Sequence, residues 1–187
     1  MPKYILASNS PRRKELMNML KLDFEVIVAD VDETVEPGIA PEDVVMDLAY
    51  RKAVKIFKNH PERIVLGFDT LVWLDNEAFG KPKDRADAIK MLTKLSGKTH
   101  IVVTGVAVIA KSISSSFYDL AEVTFYPMTP SEIEAYADTG EPYDKAGAYA
   151  VQGQGAKYIR SVRGDFYTVM GLPVAKLYHE LEKMKLL

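Results

Sequence analysis

Apolar runs alternate with helix-period patterns along most of the chain, which predicts an α/β fold. Residues 3–7 read as a short buried strand. Ser10 follows as a helix N-cap and Pro11 as the first helical residue, where its missing N–H costs nothing. That helix is expected to reach about Leu20, and a second strand to run from Phe24 to Val28. An acidic loop covers Asp30 to Glu36, and a helix from Pro41 to about Lys58 carries Val44, Val45, Leu48, Ala49 and Ala53 on one face. Ile64 to Gly67 reads as a central strand, with Asp69 and Thr70 at its end, and Leu71 to Leu74 leads into a turn at Asp75-Asn76-Glu77.

Asp84 can cap a helix that closes near Gly97, a glycine C-cap. His100–Ala110 and Phe117–Phe125 read as antiparallel strands, with Ser112-Ile113-Ser114-Ser115-Ser116 as a polar hairpin turn. Thr129-Pro130-Ser131-Glu132 has the form of a capping box and opens a helix ending near Gly140. Residues 143–155 are rich in glycine and aromatics and lack a period. Ala156–Val162 reads as a last strand, Arg163-Gly164-Asp165 as a turn and Pro173–Lys185 as a closing helix.

At 187 residues the chain fits one domain, 1–187, with room for two lobes. The 48% hydrophobic and 27% charged content suits a globular protein, so the core needs no staples. The absence of cysteine excludes disulfides, thiolate nucleophiles and cysteine-bound zinc, and suits a reducing cytosol. The first apolar run is too short for a signal peptide, and no run approaches the roughly 20 apolar residues of a membrane span. A cytoplasmic location without membrane contact is therefore expected. A net charge of −2 argues against a nucleic-acid partner. The histidines, His60, His100 and His179, lie far apart and outside any metal-ligand spacing, so they read as surface or packing residues.

Three places carry candidate chemistry. Ser8-Asn9-Ser10-Pro11-Arg12-Arg13 joins a strand to a helix start, where free N–H groups, two hydroxyls and two arginines favour an anion. The same residues also fit a capped helix with solvated arginines. Asp69 and Thr70 follow an apolar run at a strand end, where ligands bind in open α/β sheets. A metal or a lysine would satisfy the carboxylate, unless it sits in an exposed turn. Asp32, Glu33 and Glu36 either form a solvated loop or share a magnesium ion with substrate phosphates. Lys52, in a helix, and Lys81, between Gly80 and Pro82, are within reach of a phosphate or merely solvated. Arg13 and Lys81 both read as exposed.

Other motifs fail. Gly97-Lys98-Thr99 resembles the tail of a P-loop, but Leu92 stands where the pattern needs glycine. Gly153-Gln154-Gly155 lacks the third glycine of a dinucleotide fingerprint and opens no helix.

In order and number, these pieces resemble the Maf family of nucleoside triphosphate pyrophosphatases. The likeness runs through Leu6-Ala7-Ser8-Asn9-Ser10-Pro11-Arg12-Arg13, Glu33, Lys52, Gly67-Phe68-Asp69-Thr70 and Gly80-Lys81-Pro82. It continues through Asp144-Lys145-Ala146-Gly147-Ala148-Tyr149, Gln152-Gly153 and Val169-Met170-Gly171-Leu172-Pro173. The resemblance implies a mixed sheet with flanking helices, two lobes around a cleft, like inosine triphosphate pyrophosphatases. It implies a homodimer, a divalent cation (Mg2+ or Mn2+) and cleavage of a nucleoside triphosphate to monophosphate and pyrophosphate, which keeps non-canonical nucleotides out of nucleic acid. By position, Asp69 and Glu33 match catalytic residues and metal ligands. Ser8, Arg13, Lys52 and Lys81 match substrate-binding positions. Arg12, Thr70 and Gln152 match the positions of the branch acting on dTTP and UTP. Asp69 either holds the metal or takes a proton. Phe68 and Ala150 depart from the small residue and the glycine expected there. The alternatives are a pyrophosphatase for a purine or 7-methyl-GTP, and a nucleotide-sensing regulator of cell division with little turnover.

Overall fold

The computed structural model describes residues 3–28, 30–34 and 38–187; Glu36 lies outside them. The elements run β1 (Tyr4–Leu6), α1 (Pro11–Met19), β2 (Phe24–Val26), α2 (Pro41–Phe57), β3 (Ile64–Leu74), β4 (Glu77–Phe79) and α3 (Arg85–Leu95). They continue with β5 (Thr99–Ala110), β6 (Ile113–Phe125), α4 (Pro130–Ala137), β7 (Ile159–Gly164), α5 (Phe166–Met170) and α6 (Val174–Lys183). Six of the strands follow the order β2-β1-β3-β5-β6-β7 in a seven-stranded sheet, and β4 pairs with β3. The sheet is mixed: β1 is parallel to β2 and β3, while β3–β4 and β6–β7 are antiparallel. Among the described residues no helix is long and apolar enough to cross a membrane.

The chain forms two compact units, and β3, β5 and β6 contribute residues to each. The first comprises Met1–Thr70, Thr104–Asp119 and Gly171–Leu187. Here β1 lies between β2 and β3, so the chain leaves β1 in one direction and returns on its other side. Right-handed crossovers in opposite directions put α1 and α2 on opposite faces of the sheet. Ala49, Ala53 and Ile56 of α2 pack on Ile5, Val65, Ala107 and Ile109 of the strands.

The second unit comprises Leu71–Val103 and Leu120–Met170. Its core joins Val72, Leu74, Val102, Val123 and Phe125 of the sheet to Leu92 and Leu95 of α3 and to Ile133 and Tyr136 of α4. Between α4 and β7 the chain runs through short 3-10 turns at Glu141–Asp144, Ala146–Ala148 and Gln154–Tyr158, which accounts for the missing period there.

The helix caps read from sequence are present. Ser10 accepts from the Arg13 N–H, Asp84 from the Asp87 N–H, and Thr129 and Glu132 form the reciprocal box. Four expectations change. Asp69 and Thr70 lie inside β3, which continues to Leu74 because β4 pairs with residues 72–74. The Asp75-Asn76-Glu77 turn shrinks to two residues of positive φ, Asp75 and Asn76, and Glu77 starts β4. Ile113 to Ser116 belong to β6, so the hairpin turn is only Lys111-Ser112. Arg163 and Gly164 complete β7, while Ala156 to Tyr158 form part of a 3-10 turn rather than strand.

Candidate active site

The order β2-β1-β3 makes the gap between β1 and β3 a point where the chain's direction of travel reverses, the place where open α/β sheets bind ligands. β1 pairs with residues 64–66 of β3 and stops, and the Ala7 N–H still reaches the Leu66 carbonyl at 2.9 Å. β3 runs on, so Asp69 and Thr70 lie beyond the end of β1 although they are mid-strand. Side chains alternate along a strand, so Gly67 and Asp69 share one face, that of α2, and Phe68 and Thr70 share the other, that of α1.

On the α2 face, glycine is a packing requirement. A Cβ on Gly67 would lie 2.1 Å from the Ala49 carbonyl oxygen, and one on Gly105 2.3 Å from that of Val45. α2 therefore lies directly on β3 and β5. Lys52, about one turn beyond Ala49, meets Asp69, two residues beyond Gly67. Its ammonium donates to Asp69 Oδ1 at 2.6 Å and pairs with Glu33 Oε1 at 2.7 Å. The 30–34 loop is held there by the polar side of the same helix. Lys55 donates to the Asp30 carbonyl, and Arg51 to those of Asp32 and Thr34 at 3.3 and 3.4 Å. Exposed Asp32 accepts the Thr34 N–H and hydroxyl at 2.9 and 2.6 Å, and it is Glu33 that reaches Lys52.

On the α1 face, Arg13 reaches back over β3. Its Nε donates to the Gly171 carbonyl at 2.8 Å, Nη1 to Ser8 Oγ at 3.1 Å and Nη2 to Thr70 Oγ1 at 3.0 Å. Thr70 and Thr104 hydroxyls lie 2.9 Å apart, and the guanidinium stands over the Phe68 ring at 5.8 Å. Phe68, the large residue where a small one was expected, is wholly buried and forms the floor under Arg13. Arg13 is thus half-buried rather than exposed, which corrects the reading of it as a solvated arginine.

Burial dominates the electrostatics. It pushes the Asp69 carboxyl up, opposed by Lys52 and Arg13. It pulls Arg13 down to about 10, opposed by Asp69. Each of these two charges favours the ionised form of the other. Two carboxylate oxygens and three basic groups, Lys52, Arg13 and Arg12, thus gather in one unit. Arg12 lies beside Arg13 in the first turn of α1, partly buried. Such a set can bind a polyanion together with a hard cation.

Lys81 and Gln152 belong to the second unit, and both are exposed. The stretch carrying Lys81 is tied to the 145–149 segment, since the Gly147 N–H donates to the Gly80 carbonyl at 3.0 Å. Gly147 has φ +71°, and a Cβ there would lie 2.8 Å from a Val72 methyl. His100 is a core residue, as expected, with Nε2 2.8 Å from the Tyr149 hydroxyl.

Sequence reasoning missed Arg51, Thr104 and the Gly171 carbonyl. Thr104 carried a signal, as a hydroxyl within the apolar run of β5. Gly171, at φ +108°, carried one only as a glycine before Leu172-Pro173; a Cβ there would press to 3.2 Å of the Thr70 hydroxyl.

Comparison with known proteins agrees with these features. A family model described as Maf-like protein matches residues 3–184, which covers both units. A dTTP/UTP pyrophosphatase of Bacillus cytotoxicus is 50% identical over 183 residues, covering 98% of this chain and 96% of that protein. One of Bacillus anthracis is 47% identical over 186 residues, covering 100% and 97%. Among solved structures, the Staphylococcus aureus Ham1 protein aligns with a TM-score of 0.50 at 14% identity, over 97% of this chain and 98% of that one. That likeness supports the mixed α/β fold alone. The family model and the full-length relatives together show that this chain belongs to the family of Maf-like proteins.

Proposed function

We propose that this protein is a nucleoside triphosphate pyrophosphatase that hydrolyses dTTP and UTP to the monophosphate and pyrophosphate. The reading takes its substrates from the activity for which its full-length relatives are named. One geometric observation supports the site: Asp69 and Glu33 converge on a single ammonium, with oxygens 2.6 and 2.7 Å from Lys52 Nζ. Two carboxylate oxygens already arranged about one positive charge suit a hard divalent cation, Mg2+ or Mn2+. When bound, the cation neutralises the polyphosphate and makes water more acidic.

In this reading Arg13, preset by Ser8, Thr70 and Gly171, receives phosphate oxygens together with Ser8 and Lys81. Water attacks the α-phosphorus and the bond to the bridging oxygen of the β-phosphate breaks. The proton passes to Asp69, which burial makes a better base than an exposed carboxylate. Lys52 favours the ionised form of Asp69 before the step and balances charge on departing pyrophosphate. Gln152 offers both an amide donor and acceptor to a pyrimidine edge, with Arg12 and Thr70 completing the selection. The Thr70 hydroxyl acts through Arg13, to which it is bonded. The reading extends to residues 1–187 acting as one domain in a cytoplasmic homodimer.

The test is a panel of dTTP, UTP, CTP, GTP and 7-methyl-GTP with Mg2+ or Mn2+, with pyrophosphate and phosphate measured separately. Monophosphate plus pyrophosphate, fastest from dTTP and UTP, is expected. A diphosphate plus phosphate as primary products overturns the reaction, and a preference for 7-methyl-GTP overturns the substrate.

A further inference from the structure

The Gly153-Gln154-Gly155 run is no dinucleotide loop, and the structure explains its glycines differently. Glu141, at the start of the first 3-10 turn, points its carboxylate at this run. Oε1 accepts the Gln154 N–H at 2.9 Å and Oε2 accepts the Gly155 N–H at 3.0 Å. The Tyr136 hydroxyl donates to Oε2 at 2.6 Å and itself accepts the Ala150 N–H at 3.0 Å. A Cβ on Gly153 would lie 2.0 Å from Glu141 Oε1, and one on Gly155 2.6 Å from the Tyr136 oxygen. Both glycines leave room for the close approach of these two side chains. The carboxylate fills, from within the chain, a cradle of successive N–H groups of the kind that binds external anions. Burial alone would raise the Glu141 carboxyl, but the Tyr136 hydroxyl and the two amides outweigh it and hold it below the usual range. Lys145 donates to the Glu141 carbonyl at 2.7 Å and fixes the base of the strut.

The strut grips the backbone at residue 150 on one side and at residues 154 and 155 on the other. Only residues 151–153 lie between, and the middle one is Gln152, whose side chain is exposed. A long amide side chain recognises a planar base only if its backbone is fixed in advance, since ordering it on binding costs affinity. We propose that Glu141 and Tyr136 are positioning residues for substrate selection, which hold the Ala150–Gly155 segment in the shape that presents Gln152 to the base. This rests on the reading above in which Gln152 meets the base.

The test uses Glu141→Gln, Tyr136→Phe, Gln152→Ala and the full-length wild type. Glu141→Gln keeps shape but turns an amide donor toward amides that need an acceptor, and Tyr136→Phe keeps the ring and removes the shared hydroxyl. Hydrogen exchange is followed at the amides of Ala150, Gln154 and Gly155, and kcat/KM is measured for dTTP and GTP. Faster exchange at Gln154 and Gly155 in Glu141→Gln, and at Ala150 in Tyr136→Phe, is expected. The dTTP over GTP ratio should fall about tenfold, the scale of one lost base contact. A purely structural role would lower the melting temperature and both rates together and leave the ratio unchanged; that outcome, or unchanged exchange, overturns the proposal. If Glu141→Gln does not fold, Tyr136→Phe decides on the same two readouts. If Gln152→Ala changes the ratio and the strut variants do not, the proposal falls and the base-reading role of Gln152 stands. If the strut variants change it and Gln152→Ala does not, the segment selects substrate through another of its residues, and the proposal falls together with the role assigned to Gln152. If none changes it, both fall.

Discussion

Around β3 the first unit balances ions against ions: Lys52, with 13% of its side chain exposed, lies between Asp69 at 15% and Glu33 at 62%. Around the 141–155 segment the second unit balances a half-buried carboxylate, Glu141, mainly with a hydroxyl and backbone N–H groups. The difference is physical. Buried ions offset one another's desolvation only while every partner is present, so the first network is costly to leave incomplete and responsive to an added charge. A carboxylate satisfied by dipoles holds a backbone shape and has little left to offer a ligand. Deleting a charge in the first unit should therefore change chemistry, whereas changes in the second should act on geometry and stability.

The largest expected effect tests the first half of that contrast. Asp69→Asn keeps the side-chain shape and removes the charge that pairs with Lys52 and that the proposed cation would need, so turnover should fall at least about 10²-fold. Pyrophosphate release at saturating dTTP, with a thermal melt to establish folding, measures it. Near wild-type turnover in a folded variant would remove Asp69 from the reaction and leave the ion cluster a structural device.

A pair of glycines sharpens the contrast at the backbone. Gly67→Ala sets a Cβ 2.1 Å from the Ala49 carbonyl, while a Cβ on Gly80 meets nothing within 4 Å. Gly67→Ala should cost about 1–3 kcal/mol through overpacking, and should lower activity as α2 lifts Lys52 from Asp69. Gly80→Ala should stay within about 0.5 kcal/mol. Urea midpoints compare the two; equal midpoints would mean that α2 has room to move and does not set the Lys52–Asp69 distance.

These cases show which features were legible in the sequence. Helix starts were, because a cap is a local contact: Ser10, Asp84 and the Thr129–Glu132 box all lie within three residues of what they cap. The continuity of β3 was not, because Asp69 and Thr70 look like a strand end until β4 is seen to pair beyond them. β4 and α5, of three and five residues, are too short to carry a period of their own. In the site, Asp69, Lys52 and Glu33 were legible through the family resemblance, but the half-burial of Arg13 was not. One of its partners, Gly171, lies 158 residues further along the chain.

That burial makes Arg13 and Lys81 unequal, although both were read as exposed. Arg13→Ala should cost about 1–2 kcal/mol, because the Gly171 carbonyl and the Ser8 and Thr70 hydroxyls lose a shared donor. Exposed Lys81→Ala should cost nothing measurable. Both should raise KM for dTTP. Matching melting curves for the two variants would show that the Arg13 network adds no stability.

The smallest expected effect concerns protons. His100 in the second unit is buried against Phe125 and Tyr149, with Nδ1 lacking a hydrogen-bond partner among the described residues, and burial pulls its pKa from 6.5 to about 4. The folded state therefore keeps this ring neutral while the unfolded chain protonates it. Stability from His100 is complete above its unfolded value and is lost as pH falls toward its folded one. The loss between pH 7 and pH 6 should be about 0.7 kcal/mol. Asp69 in the first unit has the opposite sign: its raised pKa means that ionisation costs stability, and the cost disappears as pH falls through the folded value. Acid thus weakens one unit through a histidine and relieves the other through a carboxylate. His100→Gln retains a partner for the Tyr149 hydroxyl and does not titrate. Urea unfolding of both proteins at pH 7 and pH 6 should show the wild type losing more than the variant by about this amount. Equal losses would mean that the ring takes up its proton in the folded state as readily as in the unfolded one.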